Sequence, residues 1–223
     1  MRHRIPPVLL LTGMLGVSSG LAGCRSVPDL AGPIRSGDVA ATEAALADPT
    51  ADPNANWQGT PLLLTAAIHA QPANRTAIVR LLLQAGADPN VVGNLPDDGP
   101  PATPLIFAAG QGDTELVELL LASGADPDLA GWNGMTALIE AARMGQVEIL
   151  KLLLRSGAQV DQTDGLGRTA LAWAALTGRP ESVRSLMRQG GDPRLADLQG
   201  RTPIDHARLR NRGELLPLLE SRR

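Results

Sequence analysis

The sequence predicts an all-α solenoid of stacked helix pairs joined by β-hairpin or loop fingers. Three observations lead there. The triplets Thr103-Pro104-Leu105, Thr136-Ala137-Leu138, Thr169-Ala170-Leu171 and Thr202-Pro203-Ile204 recur every 33 residues, and Gly124, Gly157 and Gly190 keep the same step. A fixed period of that length means stacked units, each unable to bury its apolar face alone. Within the units, apolar residues return at helical spacing, as in Val117, Leu120 and Leu121, then Leu150, Leu153 and Leu154, then Val183, Leu186 and Met187.

From the N-terminus, residues 1–23 stand outside the period. Arg2 and Arg4 give a basic start, residues 8–17 are mostly apolar, and Leu21-Ala22-Gly23 precede Cys24, the only cysteine. That is the layout of a secretory signal ending in a small-residue cleavage site. The apolar run is short and diluted by Gly, Ser and Thr, whereas a membrane span takes about 20 apolar residues. The stretch Leu21-Ala22-Gly23-Cys24 resembles a bacterial lipobox. This implies that Cys24 is diacylated, becomes the new N-terminus and anchors the chain to a membrane. Residues 24–30 then form a short tether whose last six residues, "RSVPDL", reach at most about 20 Å. Arg25 is not the aspartate associated with inner-membrane retention in enteric bacteria, which favours the outer membrane over the inner. The expected location is the bacterial cell envelope, on the periplasmic side. With a single cysteine the exported part needs no disulfide.

Each repeated unit reads as two helices. Thr followed by Pro is a helix start, because the hydroxyl caps a free N–H and Pro fits the first helical position. Alanine pairs follow at Ala108-Ala109, Ala141-Ala142 and Ala174-Ala175, small enough to let neighbouring units approach closely. Gly112, Gly145 and Gly178 end the first helix, and Gly124, Gly157 and Gly190 end the second. The first full unit departs from the period. Thr60 precedes Thr103 by 43 residues, and the ten extra residues are assigned to a long inter-helix loop, "HAQPANR", and to an extended hairpin, "NVVGNLPDDGPPA". Pro217 falls inside the last helix and is expected to kink or shorten it.

This pattern resembles the ankyrin repeat. The family's consensus runs Asp-x-x-Gly-x-Thr-Pro-Leu-His, two alanines, Gly, a Leu-rich helix and Gly-Ala-Asp. Asp164-Gly167-Thr169 and Asp197-Gly200-Thr202 match its opening in full. The resemblance implies an array over residues 31–223: an N-terminal capping unit about 31–55, repeats about 56–97, 98–130, 131–163 and 164–196, and a C-terminal capping unit 197–223. The consensus His is replaced by Leu63, Ile106, Ile139, Ala172 and Asp205. In the family that imidazole ties adjacent units together, so apolar packing must supply more of the cohesion here.

Little in the sequence points to chemistry. His69 and His206 stand in units far apart, no Cys or His cluster has metal-ligand spacing, and no Gly-rich phosphate loop or Gly-x-Ser-x-Gly elbow occurs. Asp88, Asp126 and Asp192 recur by period, but each follows a helix-ending glycine, where Asp forms turns. No catalytic site, metal or cofactor is therefore expected, and the chain is read as a non-enzyme. Cleavage would remove Arg2 and Arg4 from the 20 basic side chains and none of the 23 acidic ones, taking the formal charge from −3 to −5. That balance argues against nucleic acid as a general partner.

Binding remains. In ankyrin proteins, partners meet the finger tips and the exposed side of the first helices. Carried over by position, the protein-binding residues are Trp132, Asn133, Met135, Arg143 and Met144 in one unit and Leu166, Arg168 and Leu176 in the next. Leu198, Gln199, Arg201 and Arg210 follow in the last unit, and Trp57 holds a similar tip near the start. Trp and Arg are common interface anchors. Phe107 and Trp173 lie inside first helices, where packing is the expected role. The resemblance implies a monomeric, lipid-anchored scaffold or inhibitor that grips one protein, with a periplasmic or cell-wall enzyme as the implied target. The alternative is an envelope protein supporting catalase-dependent peroxide tolerance.

Overall fold

The computed structural model describes residues 29–96 and 99–220, so the signal-like segment and Cys24 lie outside the described residues. The first helix pair is α1 (Ala31–Ser36) and α2 (Val39–Leu46). A two-stranded hairpin of β1 (Asn56–Trp57) and β2 (Thr60–Pro61) leads into α3 (Leu62–His69) and α4 (Pro72–Gln84). A second hairpin, β3 (Gly93–Leu95) with β4 (Gly99–Ala102), precedes α5 (Pro104–Gln111) and α6 (Thr114–Ala122). Loop fingers then separate α7 (Ala137–Met144) and α8 (Val147–Arg155) from α9 (Ala170–Thr177) and α10 (Pro180–Arg188). The last pair is α11 (Pro203–Leu209) and α12 (Leu216–Glu220). The first helices α1, α3, α5, α7, α9 and α11 stack on one another in one layer, and the second helices stack in another. Among the described residues no helix is long and apolar enough to cross a membrane.

The local signals act as expected from Thr103 onward. The hydroxyls of Thr103, Thr136, Thr169 and Thr202 each accept a hydrogen bond from the backbone N–H three residues on, at 3.1–3.3 Å. Gly112, Gly145 and Gly178 cap the first helices in the left-handed region. The second helices end in paired reversed bonds: Ala125 N–H donates to Leu120 O and Gly124 N–H to Leu121 O, with the same pairing at Ala158 and Gly157. The six alanines of the three pairs are completely buried between layers, where any larger side chain would push the units apart.

Two expectations are corrected. Thr60 is not a helix cap; it pairs with Trp57 in the first hairpin, and α3 starts at Leu62 after the extended Pro61. The segment "HAQPANR" is not a long loop. Only Ala70 and Gln71 separate α3 from α4, as in the other units, because Pro72 starts the helix at its favoured first position. Four of the extra residues become an added turn of α4, which has 13 residues against 9 in α6. That turn is tied down at both sides: Asn74 Nδ2 donates to Gly37 O at 2.9 Å, and Arg75 Nη1 pairs with Asp113 at 3.1 Å. The expectation for Pro217 is met in its second form: the last α-helix is short, 5 residues against 9 in α6, α8 and α10. A 3₁₀ turn, Gly213–Leu215, precedes α12, and Pro217 falls in the first turn of α12, where its missing N–H has no helical partner to lose.

Cohesion between units has two sources. Leu63, Ile106, Ile139 and Ala172, at the consensus His position, are all buried, as the apolar reading requires, while Asp205 closes a capping box with Thr202. The second source is a ladder along the turns after the second helices. Asn54, Asn90, Asp128 and Asp161 each accept, through Oδ1, the backbone N–H of Asp88, Asp126, Gln159 and Asp192 in the following unit, at 2.8–3.0 Å. Asp88, Asp126 and Asp192 in turn hold their own turns by accepting from the N–H two residues on.

Candidate protein-binding groove

The exposed sides of α5, α7 and α9 form a floor, and the fingers ahead of them form a wall. In the angle between β3–β4 and the third finger lies an open, mostly apolar cavity of ≈ 490 Å³. Its lining comes from Leu95, Pro101, Ile106 and Phe107 on one side and Trp132, Met135, Met144 and Trp173 on the other, with Glu140 and Arg143 at its edge. The hairpin is brought close by Gly131: a Cβ there would stand 2.6 Å from Pro101 O, so this contact requires glycine. Trp132 is 60% exposed. The loop that carries it is fixed by Asn133, whose left-handed φ of 52° asparagine tolerates and whose carbonyl accepts from Gly165 N–H of the next finger. Leu166 O likewise accepts from Leu198 N–H at 3.0 Å, so successive fingers are laced together.

The structure brings Trp132, Met135, Arg143 and Met144 into this one cavity. Arg143 is clamped by Glu140 through two bonds of 2.9 and 2.6 Å. Leu166 and Leu198 continue the finger ridge, Leu198 being 73% exposed, and Leu176, half-buried, continues the floor. Arg210 is exposed at the end of α11, two periods beyond Met144. Gln199 accepts from Arg201 Nη2 at 2.9 Å. Trp57 is not part of this surface. Arg35 stacks over its ring at 4.2 Å, His69 meets it edge-on at 5.9 Å, and it borders a separate cleft with Asn94 on the other side of the β3–β4 hairpin.

Arg168, expected as an exposed contact, is instead an internal strut. Its side chain is mostly buried over the Trp173 ring, 4.0 Å from the centroid, and donates through Nε and Nη2 to the buried Asp164 at 3.0 and 2.8 Å. Asp164 also accepts from Trp173 Nε1 at 2.9 Å and from the N–H groups of Leu166 and Arg168. One period on, Asp197 repeats the arrangement: it accepts from the N–H groups of Gln199 and Arg201, lies 3.6 Å from Arg201 Nε and meets His206 Nε2 at 2.9 Å. Burial opposes the charge on both carboxylates, but hydrogen bonding outweighs it. Asp164 is held below the ordinary carboxylate range by Arg168, Trp173 and Leu166, and Asp197 by Arg201, Gln199 and His206. Trp173 thus both packs and lines the groove. The reading of residues by position missed this because it places a residue on a face without saying whether its charge is already used.

Among the described residues no group of three or more His, Cys, Asp or Glu could hold a metal ion. A family model for ankyrin repeats matches residues 66–164 as three copies, and a single-repeat model matches residues 166–198. The chain belongs to the ankyrin repeat family. No curated protein matches the chain as a relative. The ankyrin repeats indicate a protein–protein interaction module, and proteins of this kind are generally interaction scaffolds rather than catalysts. The groove described above runs along the first helices and the fingers of the ankyrin array.

Proposed function

We propose that the chain is a lipid-anchored envelope protein, monomeric and facing the periplasm, that grips one protein partner through the groove of its ankyrin array. The observation that carries the binding reading is the apolar cavity under an exposed Trp132, at a place where packing of the fold makes no demand for tryptophan. Exposed aromatic and methionine side chains around a groove are poor surface choices and good contact residues. Anchoring rests on the basic start, the apolar run and Leu21-Ala22-Gly23-Cys24.

Two experiments test the proposal. Crosslinked capture from envelope extracts, run side by side with wild type and Trp132→Ala, should yield one partner that the variant loses by about tenfold or more. Equal recovery by both proteins would refute the groove as the contact surface. Mass spectrometry of the native protein should find an N-terminal, lipid-modified Cys24, and Cys24→Ser should accumulate as unprocessed precursor. An intact Met1, or cleavage without lipid, would refute the anchor.

A further inference from the structure

The groove face is uneven in charge. Its apolar cavity lies toward the middle of the array, whereas the rim formed by the turns between first and second helices becomes basic toward the C-terminal end. Successive turn residues lean back onto the glycine of the unit before. Gln146 lies over Gly112, Arg179 over Gly145 and Arg212 over Gly178, so close that a Cβ on those glycines would meet the overlying side chains at 2.7, 2.9 and 2.6 Å. Arg179 Nε also reaches Arg143 O at 3.4 Å. The two arginines are therefore held along one rim, one period apart, against the carbonyl ends of α7 and α9.

Their charge is unused. Among the described residues, Arg143, Arg168, Arg201 and Arg208 all pair with carboxylates, but Arg179, Arg210 and Arg212 pair with none. Glu181 pairs with Arg184 and Glu148 with Lys151, and among the described residues no carboxylate lies within ion-pair distance of the three arginines. Other arginines, Arg80, Arg155 and Arg188 among them, also make no ion pair among the described residues, but Arg179, Arg210 and Arg212 fall together at one end of the groove in a chain whose formal charge is −3. Arg210 stands two periods beyond Met144, so an extended segment lying across the first helices passes from the cavity to the arginines.

We propose that the occupant of the groove is an extended acidic segment of a partner protein. One large apolar side chain fills the cavity of Phe107, Met135, Met144 and Trp173, and Asp or Glu residues lie along Arg179, Arg210 and Arg212. The proposal rests on the groove reading given above and adds the chemistry and direction of the ligand. The cavity, at ≈ 490 Å³, has room for one or two large side chains. Methionines at its wall adapt to an aromatic or aliphatic guest. The arginines reject basic segments and speed the encounter with acidic ones.

The probe is a phage-displayed random peptide library selected on the full chain, with enriched peptides synthesised and measured by fluorescence anisotropy. Enriched sequences should combine Trp, Phe, Leu or Met with neighbouring Asp or Glu, and their binding should weaken with salt. Arg179→Gln with Arg212→Gln should weaken it by about tenfold or more while the melting temperature falls by no more than a few degrees, the small share that the two exposed side chains contribute at the ends of α7 and α9. Met144→Glu should abolish it. If the enriched peptides lose binding in Trp132→Ala but are neutral or basic, or ignore the double arginine variant, the acidic-ligand proposal falls and the groove reading stands. If no enriched peptide responds to Trp132→Ala or Met144→Glu, both fall. Displacement of the peptide by a single-stranded DNA oligonucleotide would overturn the assignment of a protein ligand.

Discussion

Replacing Asp164 with alanine isolates the strut that holds the fourth finger. The carboxylate is fully buried and accepts from Arg168 Nε and Nη2, from Trp173 Nε1 and from two backbone N–H groups, all at 2.8–3.0 Å. Asp164→Ala strips partners from an indole N–H, two amides and the guanidinium of an arginine whose side chain is only 16% exposed. Removing one member of a buried ion pair costs about 3–5 kcal/mol. The residual access of Arg168 to water places this case near the lower end, at ~3 kcal/mol. For a chain of this size each kcal/mol shifts the melting temperature by roughly 2–4 °C, so the loss should be about 6–12 °C by circular dichroism. Arg168→Ala should cost less, about half as much, because Asp164 keeps three of its donors. A variant Asp164→Ala melting within about 2 °C of wild type would refute the strut, as would a larger loss from Arg168→Ala than from Asp164→Ala.

Other outcomes follow from the same geometry. Asp164 and Asp197 have folded-state pKa values depressed below the unfolded value of about 3.9, so their contribution is whole above that pH and disappears as pH falls through the folded values. The melting temperature should therefore hold steady down to about pH 5 and drop below about pH 4, and Asp164→Asn should flatten the drop; an acid limb unchanged in that variant would place the titration elsewhere. Gly157 has φ +96° and open space where a Cβ would project, so Gly157→Val should cost on the order of 1 kcal/mol or more from backbone strain alone. Gly157→Asn should recover part of that loss, and equal melting of Val and Asn variants would contradict the left-handed cap. Asn90 accepts from Asp126 N–H at 2.8 Å and donates to Gly124 O at 3.3 Å, so Asn90→Ala should cost about 1 kcal/mol and speed hydrogen exchange at the Asp126 amide. Unaltered exchange there would remove the ladder from the account.

The fold was legible because its signals are local and repeated. Thr103, Thr136, Thr169 and Thr202 cap helices by a bond to their own chain three residues on, which spacing alone reveals. Thr60 misled because the same two residues, Thr-Pro, also suit a hairpin strand, and the type of turn made by Gln58 and Gly59 decided between them. The inter-unit ladder was hidden for a different reason. Asn90, Asp128 and Asp161 all stand four residues after a helix-ending glycine, but their bonds cross to the following unit, and a one-dimensional pattern does not say which short polar residue turns inward and which reaches outward.

The cavity lies where one unit departs from the two that follow it. Counting back one period from the Asp164, Arg168 and Trp173 strut lands on Gly131, Met135 and Glu140, and all three line the cavity. The third finger lacks the carboxylate that draws an arginine and a ring nitrogen inward in the two units after it. Glu140 therefore turns to Arg143, three residues along its own helix, and leaves Met135 and Trp132 with apolar surface that no neighbour covers. Glycine at 131 lets the β3–β4 hairpin lean in and supply the opposite wall. Adding the strut residues there would test this: in Gly131→Asp with Met135→Arg the new Cβ at 131 would stand 2.6 Å from Pro101 O, so the β3–β4 hairpin would have to move off before the pair could form. The double variant should thus lose both stability and ligand binding, whereas Met135→Ala alone should weaken binding with a smaller change in melting. A double variant as stable as wild type would mean that the close approach of the hairpin does not depend on glycine at 131.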